Sequence, residues 1–349
     1  MRFLADAVEQ GQLPAAILGG FLGSGKTTLL NALLRQPGMA GTAVAINEFG
    51  EVPIDQHLVE AESGTGPDRT VTMANGCLCC DLSGDLEGAV MRIFARREAG
   101  ALPRFARLLV EPSGLADPAP IAQALLRNPV LSRVLRLDSI LVTVDALFAR
   151  GQLAEHPEAR AQVALADKLL LTKTDLAEPA GTARLREELA RLNPLAPVIG
   201  MRQGEADPGV LFPARFLGTP GAPPPVVEWL DALPPLHHRH QHHAHTQGTA
   251  ALSLVSDTPP LWQAFENWLR RVRIEGGEKL LRVKGLIGVP GQSGPVVVQG
   301  VQHVLHPPVQ LPAWPGGDRR SRLVLITNGL SHSPLRQGWD ALFAAPAPA

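Results

Sequence analysis

Cysteine is scarce in this chain: three in 349 residues, all within four consecutive positions, Cys77, Cys79 and Cys80. So small and odd a number excludes a disulfide framework and points to metal or redox chemistry in a reducing compartment. An excess of charge of either sign is lacking too. A formal net charge of −1 gives no electrostatic footprint for nucleic acid or an anionic membrane, and neither is expected as a partner. No apolar run approaches about 18 residues, which excludes a spanning helix. The N-terminal stretch carries Asp6 and Glu9 where a signal peptide needs a basic start and an apolar core, so a cytoplasmic protein is expected. Tyrosine is absent, but a composition 45% apolar and 19% charged is otherwise that of a soluble globular protein, and the length predicts two domains.

Residues 1–217 alternate short apolar runs with longer helical patterns. Strands are predicted at 14–20, 42–49, 107–114, 139–146, 168–175 and 196–201, and their near-continuous apolar character fits a sheet covered on both faces. Helical spacing is clearest over Lys26–Gln36, Asp85–Gly100 and Ala183–Asn193. The alternation predicts an α/β domain, a doubly wound and mostly parallel sheet with ligands at the carboxyl ends of its strands. Residues 218–248 are rich in proline and then histidine, and read as an extended linker. A smaller α+β unit is expected over 249–349, with Leu261, Trp262, Phe265, Trp268, Leu269 and Val272 on one helical face.

Between the first strand and the first helix stands GFLGSGKT, Gly20 to Thr27. That is the setting in which G-x-x-x-x-G-K-[ST] means a phosphate-binding loop. Gly20, Gly23 and Gly25 let backbone N–H groups, with that of Ser24, turn inward around phosphate oxygens at the helix N-terminus. Lys26 is expected to reach the β- and γ-phosphates, Thr27 to bind Mg²⁺, and Thr28 to complete the nucleotide site. Glu111, closing the run RLLVE, is a candidate for the Mg²⁺ shell through water, and the Gly114 amide for sensing the γ-phosphate. TKTD, Thr172 to Asp175, supplies a carboxylate able to accept from the N1–H and 2-amino group of guanine, with Lys173 laid along the base. Adenine has no such donor pair on that edge, so GTP is favoured over ATP.

NGCLCCD, Asn75 to Asp81, reads as a polar loop carrying all three thiols. Iron–sulfur clusters generally take four cysteines. Soft thiolates favour Zn²⁺ or Cu⁺, with Co²⁺ and Ni²⁺ open, and a redox pair at the Cys77–Cys80 spacing remains an alternative. Three thiolates leave a tetrahedral ion one open position, suited to catalysis or to handing the ion on. Adjacent Cys79 and Cys80 would point to opposite sides of an extended strand, so one ion held by both requires a bend. Glu48 and Glu51, in NEFGEVPID, are candidate auxiliary ligands for metal or Mg²⁺. His237, His238, His240, His242, His243 and His245 form a tract expected to bind metal weakly and exchangeably.

Taken in order, GFLGSGKTT, NEFGEVPID, NGCLCC, EPSGLADP and TKTD, then the histidine-rich linker, resemble the CobW-type metal-chaperone GTPases. LLRVKGLIG, VVVQGVQHVL and SRLVLIT look like that family's C-terminal domain, so the resemblance covers nearly the whole chain. It implies Mg²⁺-dependent GTP hydrolysis coupled to delivery of a metal, most often zinc, into a client metalloprotein. On that pattern Cys77, Cys79 and Cys80 are the cargo site, Lys26 and Thr27 serve nucleotide and Mg²⁺, and Asp175 reads guanine. A cobalt role, in cobalamin synthesis or nitrile hydratase maturation, and a non-enzymatic metal buffer or sensor are the alternatives. A nucleotide-dependent homo-oligomer is left open. Ile46 stands where many members carry Glu, Thr172 replaces the commoner Asn, and a proline enters EPSG.

Overall fold

The computed structural model describes residues 12–46, 59–63, 70–73, 78–81, 86–202, 207–218, 248–315 and 317–343. Glu48, Glu51, Cys77, the histidine tract and nearly all of the expected linker lie outside the described residues. By internal contacts the chain divides into two compact units, Met1–Glu188 with Ala196–Glu228, and Leu189–Leu195 with Trp229–Ala349.

Among the described residues, the first unit is built on nine strands: β1 (Leu13–Gly20), β2 (Thr42–Ile46), β3 (Val59–Ser63), β4 (Thr70–Met73), β5 (Leu78–Asp81), β6 (Arg107–Glu111), β7 (Leu135–Asp145), β8 (Lys168–Thr172) and β9 (Val198–Gly200). They lie in the order β3-β4-β5-β2-β6-β1-β7-β8-β9. Every pairing from β5 to β9 is parallel, while β3–β4 and β4–β5 are antiparallel. This is the expected doubly wound, mostly parallel sheet. Crossover helices cover it because a parallel strand needs a long return connection. They include α1 (Lys26–Leu34), α2 (Leu86–Glu98), α3 (Pro118–Arg127), α4 (Leu131–Val134), α5 (Ala149–Glu155), α6 (Pro157–Leu165) and α7 (Pro179–Leu192). Leu29, Leu30, Leu33 and Leu34 of α1 bury against Leu18, Val44, Ile46 and Leu109 in one cluster with Phe212 and Phe216. Each such leucine contributes about 1.5–3 kcal/mol, and truncating Leu33 to alanine would cost about 2–5 kcal/mol.

Among the described residues four strands end short of the sequence reading: β9 is trimmed to Val198–Gly200, and the other three each stop for a local reason. β6 stops at Glu111 because Pro112 has no N–H for the ladder. β8 stops at Thr172 because Lys173 turns to a φ of 55°, outside the β region. β7 stops at Asp145, whose carboxylate accepts from the N–H groups of Leu147 (2.8 Å) and Phe148 (3.4 Å) and turns the chain. A larger correction concerns the thiol stretch, read as a loop. Leu78–Asp81 is a strand, paired with β2 on one side and β4 on the other.

The second unit holds an antiparallel sheet of β10 (Thr249–Ser256), β11 (Leu280–Ile287), β12 (Val296–Val301), β13 (Val304–Leu305) and β15 (Ser321–Asn328), ordered β10-β15-β11-β12-β13, with β14 (Val309–Gln310) also on β12. The helices here are α9 (Trp262–Gly276) and α10 (His332–Asp340), α8 (Pro208–Leu211) belonging to the first unit. Phe265, Trp268, Leu269 and Val272 of α9 and Trp339 of α10 bury against Leu252, Leu254, Val283 and Leu325 of the sheet. The Trp268 and Trp339 rings meet edge to face at 5.7 Å. An α+β unit is what the pattern predicts. Leu261 departs from the predicted apolar face: it precedes the first helical turn and stays 70% exposed. Among the described residues no helix is long and apolar enough to cross a membrane.

Candidate nucleotide and metal site

The loop between β1 and α1 is held by close backbone packing. Gly20, Gly23 and Gly25 sit at φ values of 145°, 69° and 90°, which side-chain-bearing residues rarely adopt. At Gly20 space also forbids a side chain, because a Cβ there would strike the Thr143 hydroxyl and come within 2.7 Å of the Thr143 carbonyl oxygen. The buried Ser24 hydroxyl shares a 2.7 Å hydrogen bond with Thr143 Oγ1, tying the loop to β7. Lys26 folds back so that Nζ donates to the carbonyls of Gly20 (2.8 Å) and Phe21 (3.3 Å). Its ammonium therefore lies over the loop whose amides open at the N-terminus of α1, where an anionic group is favoured.

Thr27 Oγ1 lies 3.5 Å from Glu111 Oε1, with Glu111 only 4% exposed at the end of the neighbouring strand. A hydroxyl and a carboxylate facing each other beside the phosphate loop are hard oxygen donors of the kind Mg²⁺ takes, so the residues present fit that ion. Past Glu111 the chain turns, Ala116 N–H donating to the Ser113 carbonyl at 3.0 Å. Gly114 lies so close to the loop that a Cβ would meet the Leu22 backbone at 3.0 Å. The two carbonyls that flank this turn, Gly114 and Ala116, accept from Gln162 Nε2 of α6 at 3.0 and 2.9 Å.

At the other end of the loop Thr172 takes the place of the usual amide side chain. Its hydroxyl donates to the Ser24 carbonyl at 2.7 Å. Lys173 Nζ donates to the Gly23 carbonyl (2.8 Å) and pairs with the buried Asp145 at 2.6 Å. Beside them opens a cavity of about 230 Å³ lined by Thr28, Leu29 and Ala32 of α1, by Thr172, Lys173, Asp175 and Leu176, and by Met201 and Arg202. Apolar walls with one carboxylate suit a planar base that offers hydrogen-bond donors on one edge. The structure thus brings Gly20, Gly23, Ser24, Gly25, Lys26, Thr27, Thr28, Glu111, Gly114, Thr172, Lys173 and Asp175 around one end of the sheet. Thr143, Asp145, Gln162, Met201 and Arg202 join them without having been foreseen. Asp145 alone had a usable signal, closing an apolar run as Glu111 does.

The thiol strand is reached through the sheet. Cys79 sits in register between Val44 of β2 and Val71 of β4, and Cys80 between Ala45 and Thr70. One residue on, Asp81 pairs with Ile46, and Ile46 with Glu111. The row carrying the Mg²⁺ candidate therefore runs straight across β2 to the residue after Cys80. Ile46 itself is 1% exposed, in the core.

Two family models match the chain: CobW/HypB/UreG, nucleotide-binding domain, over residues 14–200, and cobalamin synthesis protein cobW C-terminal domain over 249–343. Among curated proteins the chain is similar to zinc chaperone YjiA of Escherichia coli, 33% identical over 95% of this chain and 98% of that protein. It is also similar to zinc chaperone CobW of Pseudomonas aeruginosa, 31% identical over 85% of this chain and 84% of that one. Among solved structures, that of Zn(II)-bound YjiA GTPase from E. coli superposes with a TM-score of 0.76 at 30% identity, covering 95% of this chain and 99% of that chain.

Proposed function

The chain belongs to the CobW/HypB/UreG family, and we propose that it is a GTP-hydrolysing metallochaperone that holds zinc on its CxCC segment, β5 bending to bring Cys79 and Cys80 to one ion, and passes it to a client metalloprotein. The family and the zinc-chaperone and GTPase names of its relatives support the class of activity. The residue roles rest on the geometry above. The loop amides and Lys26 bind the phosphates. Asp175 accepts from the N1–H and 2-amino group of guanine, with the Lys173 stem against the base. Thr27 and Glu111 hold Mg²⁺, which when bound offsets negative charge on the β- and γ-phosphates. The Gly114 amide meets the γ-phosphate and so distinguishes GTP from GDP. Intrinsic turnover is slow and a client accelerates it, as in P-loop GTPases whose arginine finger is supplied in trans.

The observation that carries the coupling is the backbone row Asp81–Ile46–Glu111. Strands in a sheet stand about 4.8 Å apart, so the residue following Cys80 lies about 10 Å from the Glu111 backbone with one hydrogen-bonded strand between them. Ordering of the Glu111–Gly114 segment by GTP is transmitted to β5 through that row. Domain boundaries at 217 and 249, a histidine-bearing linker that collects metal weakly, and auxiliary roles for Glu48 and Glu51 complete the proposal.

Metal content and turnover of the purified protein test it together. Prepared without oxygen, the chain carries one zinc, which Cys77→Ser loses, and it hydrolyses GTP in preference to ATP. Absence of zinc from the wild type, or a disulfide between Cys77 and Cys80 in its place, would sink the chaperone reading. A metal-loaded protein that turns over no GTP would leave only a buffer.

A further inference from the structure

The segment that must answer to the γ-phosphate is held from behind by a helix pair, α5 and α6, that contributes no residue to the phosphate loop or to the lining of the neighbouring cavity. α5 and α6 contact both the phosphate loop and the turn after Glu111. Gln152 of α5 reaches the Leu22 carbonyl at 3.5 Å, and His156, between the helices, lays its ring 4.8 Å from that of Phe21. Phe21 and Leu22 are phosphate-loop residues. Six residues beyond His156, Gln162 crosses to the turn after Glu111 and hydrogen-bonds Gly114 and Ala116.

Gln162 is 2% exposed. Its amide nitrogen carries two hydrogens and donates to two carbonyls, so both donors are satisfied without water. Burial of such an amide is tolerated only with these partners, which makes the contact obligatory and the rotamer fixed. Neither carbonyl belongs to a strand or helix ladder. The turn is closed on its inner side by Ser113, whose carbonyl takes the Ala116 N–H and whose hydroxyl lies 3.4 Å from the Leu115 nitrogen. Downstream, Asp117 caps α3 by accepting from the Ala119 N–H at 2.9 Å. Upstream, Glu111 is buried at the end of β6. The free variable left is rotation about Gly114. A glycine resists such rotation least of all residues, and the Leu22 contact rules out a side chain there.

From this we infer that Gln162 is a positioning residue for GTP hydrolysis: by holding the Gly114 and Ala116 carbonyls it fixes the peptides on the far side of Gly114, and the Ala116 N–H, bonded to the Ser113 carbonyl, then holds the Ser113–Gly114 peptide that presents the Gly114 amide to the γ-phosphate. This rests on the GTPase reading and goes past it by naming what pre-organises the sensor. It acts through Gly114 and touches no reacting atom. Misplacing a group by about 1 Å at a reacting centre is enough to lose about a hundredfold in rate, so loss of the clamp is costly even with every phosphate ligand in place. GDP has no γ-phosphate, so its binding does not depend on the Gly114 amide.

The test is Gln162→Met in the full chain. It keeps the length and the packing of the side chain but removes both donors. Expected is a fall in kcat for GTP of about tenfold or more, with the GDP Kd within about twofold of wild type. The preference for a non-hydrolysable GTP analogue over GDP falls by a similar factor. A purely structural brace would weaken GDP and analogue binding equally and leave their ratio alone, so an unchanged ratio overturns the inference, whatever happens to kcat. If the Met variant does not fold, Gln162→Asn is read the same way, since it keeps an amide donor one carbon short of the carbonyls. Wild-type kcat and ratio in that folded variant also overturn the inference. A wild-type protein that hydrolyses no GTP refutes the function proposed above; a hydrolysing wild type matched by its Gln162 variants refutes only the clamp.

Discussion

The phosphate loop and the thiol strand hang from one sheet, three strands apart in the order β5-β2-β6-β1, yet they are made differently. At the loop the chemistry is carried by backbone: three glycines at positive φ, a Cβ-free approach to Thr143, and Lys26 folded onto two carbonyls. Little of it can be altered without unfolding the turn. The thiols stand on the opposite footing. Cys79 and Cys80 belong to a short strand paired on both sides, whose position is set by its neighbours. A strand of that kind shifts only as part of the sheet, and its partner β2 is also the partner of the strand that ends at Glu111. On the function proposed above, a fixed nucleotide site beside a neighbour-dependent thiol strand is the arrangement a coupled device needs, because only a site with two available arrangements can be biased by the other.

The sharpest way to separate the two regions is Lys26→Ala. Loss of a preorganised cation from a phosphate site costs about a hundred- to a thousandfold in kcat. The thiol strand does not contain it, so zinc stoichiometry is expected to stay at one per chain. Steady-state phosphate release and metal analysis on the same preparation check both halves, and loss of zinc in the variant would mean the two sites cannot be treated as distinct. A smaller effect follows Asp175→Asn. The amide replaces an acceptor with a donor, so guanine loses its partner, while xanthine, with a carbonyl where guanine has its amino group, gains one. Preference for GTP over XTP is expected to drop about a hundredfold, less than a fully buried pair would give because Asp175 is exposed at the cavity rim. Competition between the two nucleotides reads it, and unchanged preference would remove Asp175 from base recognition.

How far each region could be read in advance follows from the same contrast. GFLGSGKT was legible because its chemistry is backbone chemistry, and glycine spacing between a strand and a helix announces the conformation directly. TKTD and Glu111 were legible in place and, in part, in partner. What could not be read was anything assembled from distant pieces. Met201 and Arg202 line the cavity beside Asp175 from beyond β9, and Gln162 reaches Gly114 across 48 positions of sequence. Neither stands in a motif. The strand at Leu78–Asp81 was missed for a different reason. Cysteine and leucine flanked by Asn75, Gly76 and Asp81 have weak local preference for a strand, and pairing with β2 and β4 decides the matter. The helix α3 was also overlooked. Its signal, Asp117 as cap followed by Pro118 at the first position, is plain once the turn after Glu111 is separated from β6.

The smallest predicted effect is the one on which the comparison turns. If β2 transmits the state of the Glu111–Gly114 segment to β5, zinc binds more tightly with a non-hydrolysable GTP analogue than with GDP, by about tenfold, the middle of the range for coupled sites. Thermodynamic linkage then requires zinc to raise the affinity for the analogue over GDP by the same factor. Both can be measured by competition, zinc against a chelating dye and nucleotide against a fluorescent analogue, at one pH because thiolate ligands release protons on binding metal. Equal zinc affinities in the two nucleotide states would show that the fuel site and the cargo site share a sheet without sharing free energy. A change in one direction without its reciprocal would point to a third event, such as self-association, between them. Agreement of the two factors is therefore the stronger result: it shows that the two sites share free energy, so that hydrolysis loosens the metal and the metal favours the triphosphate.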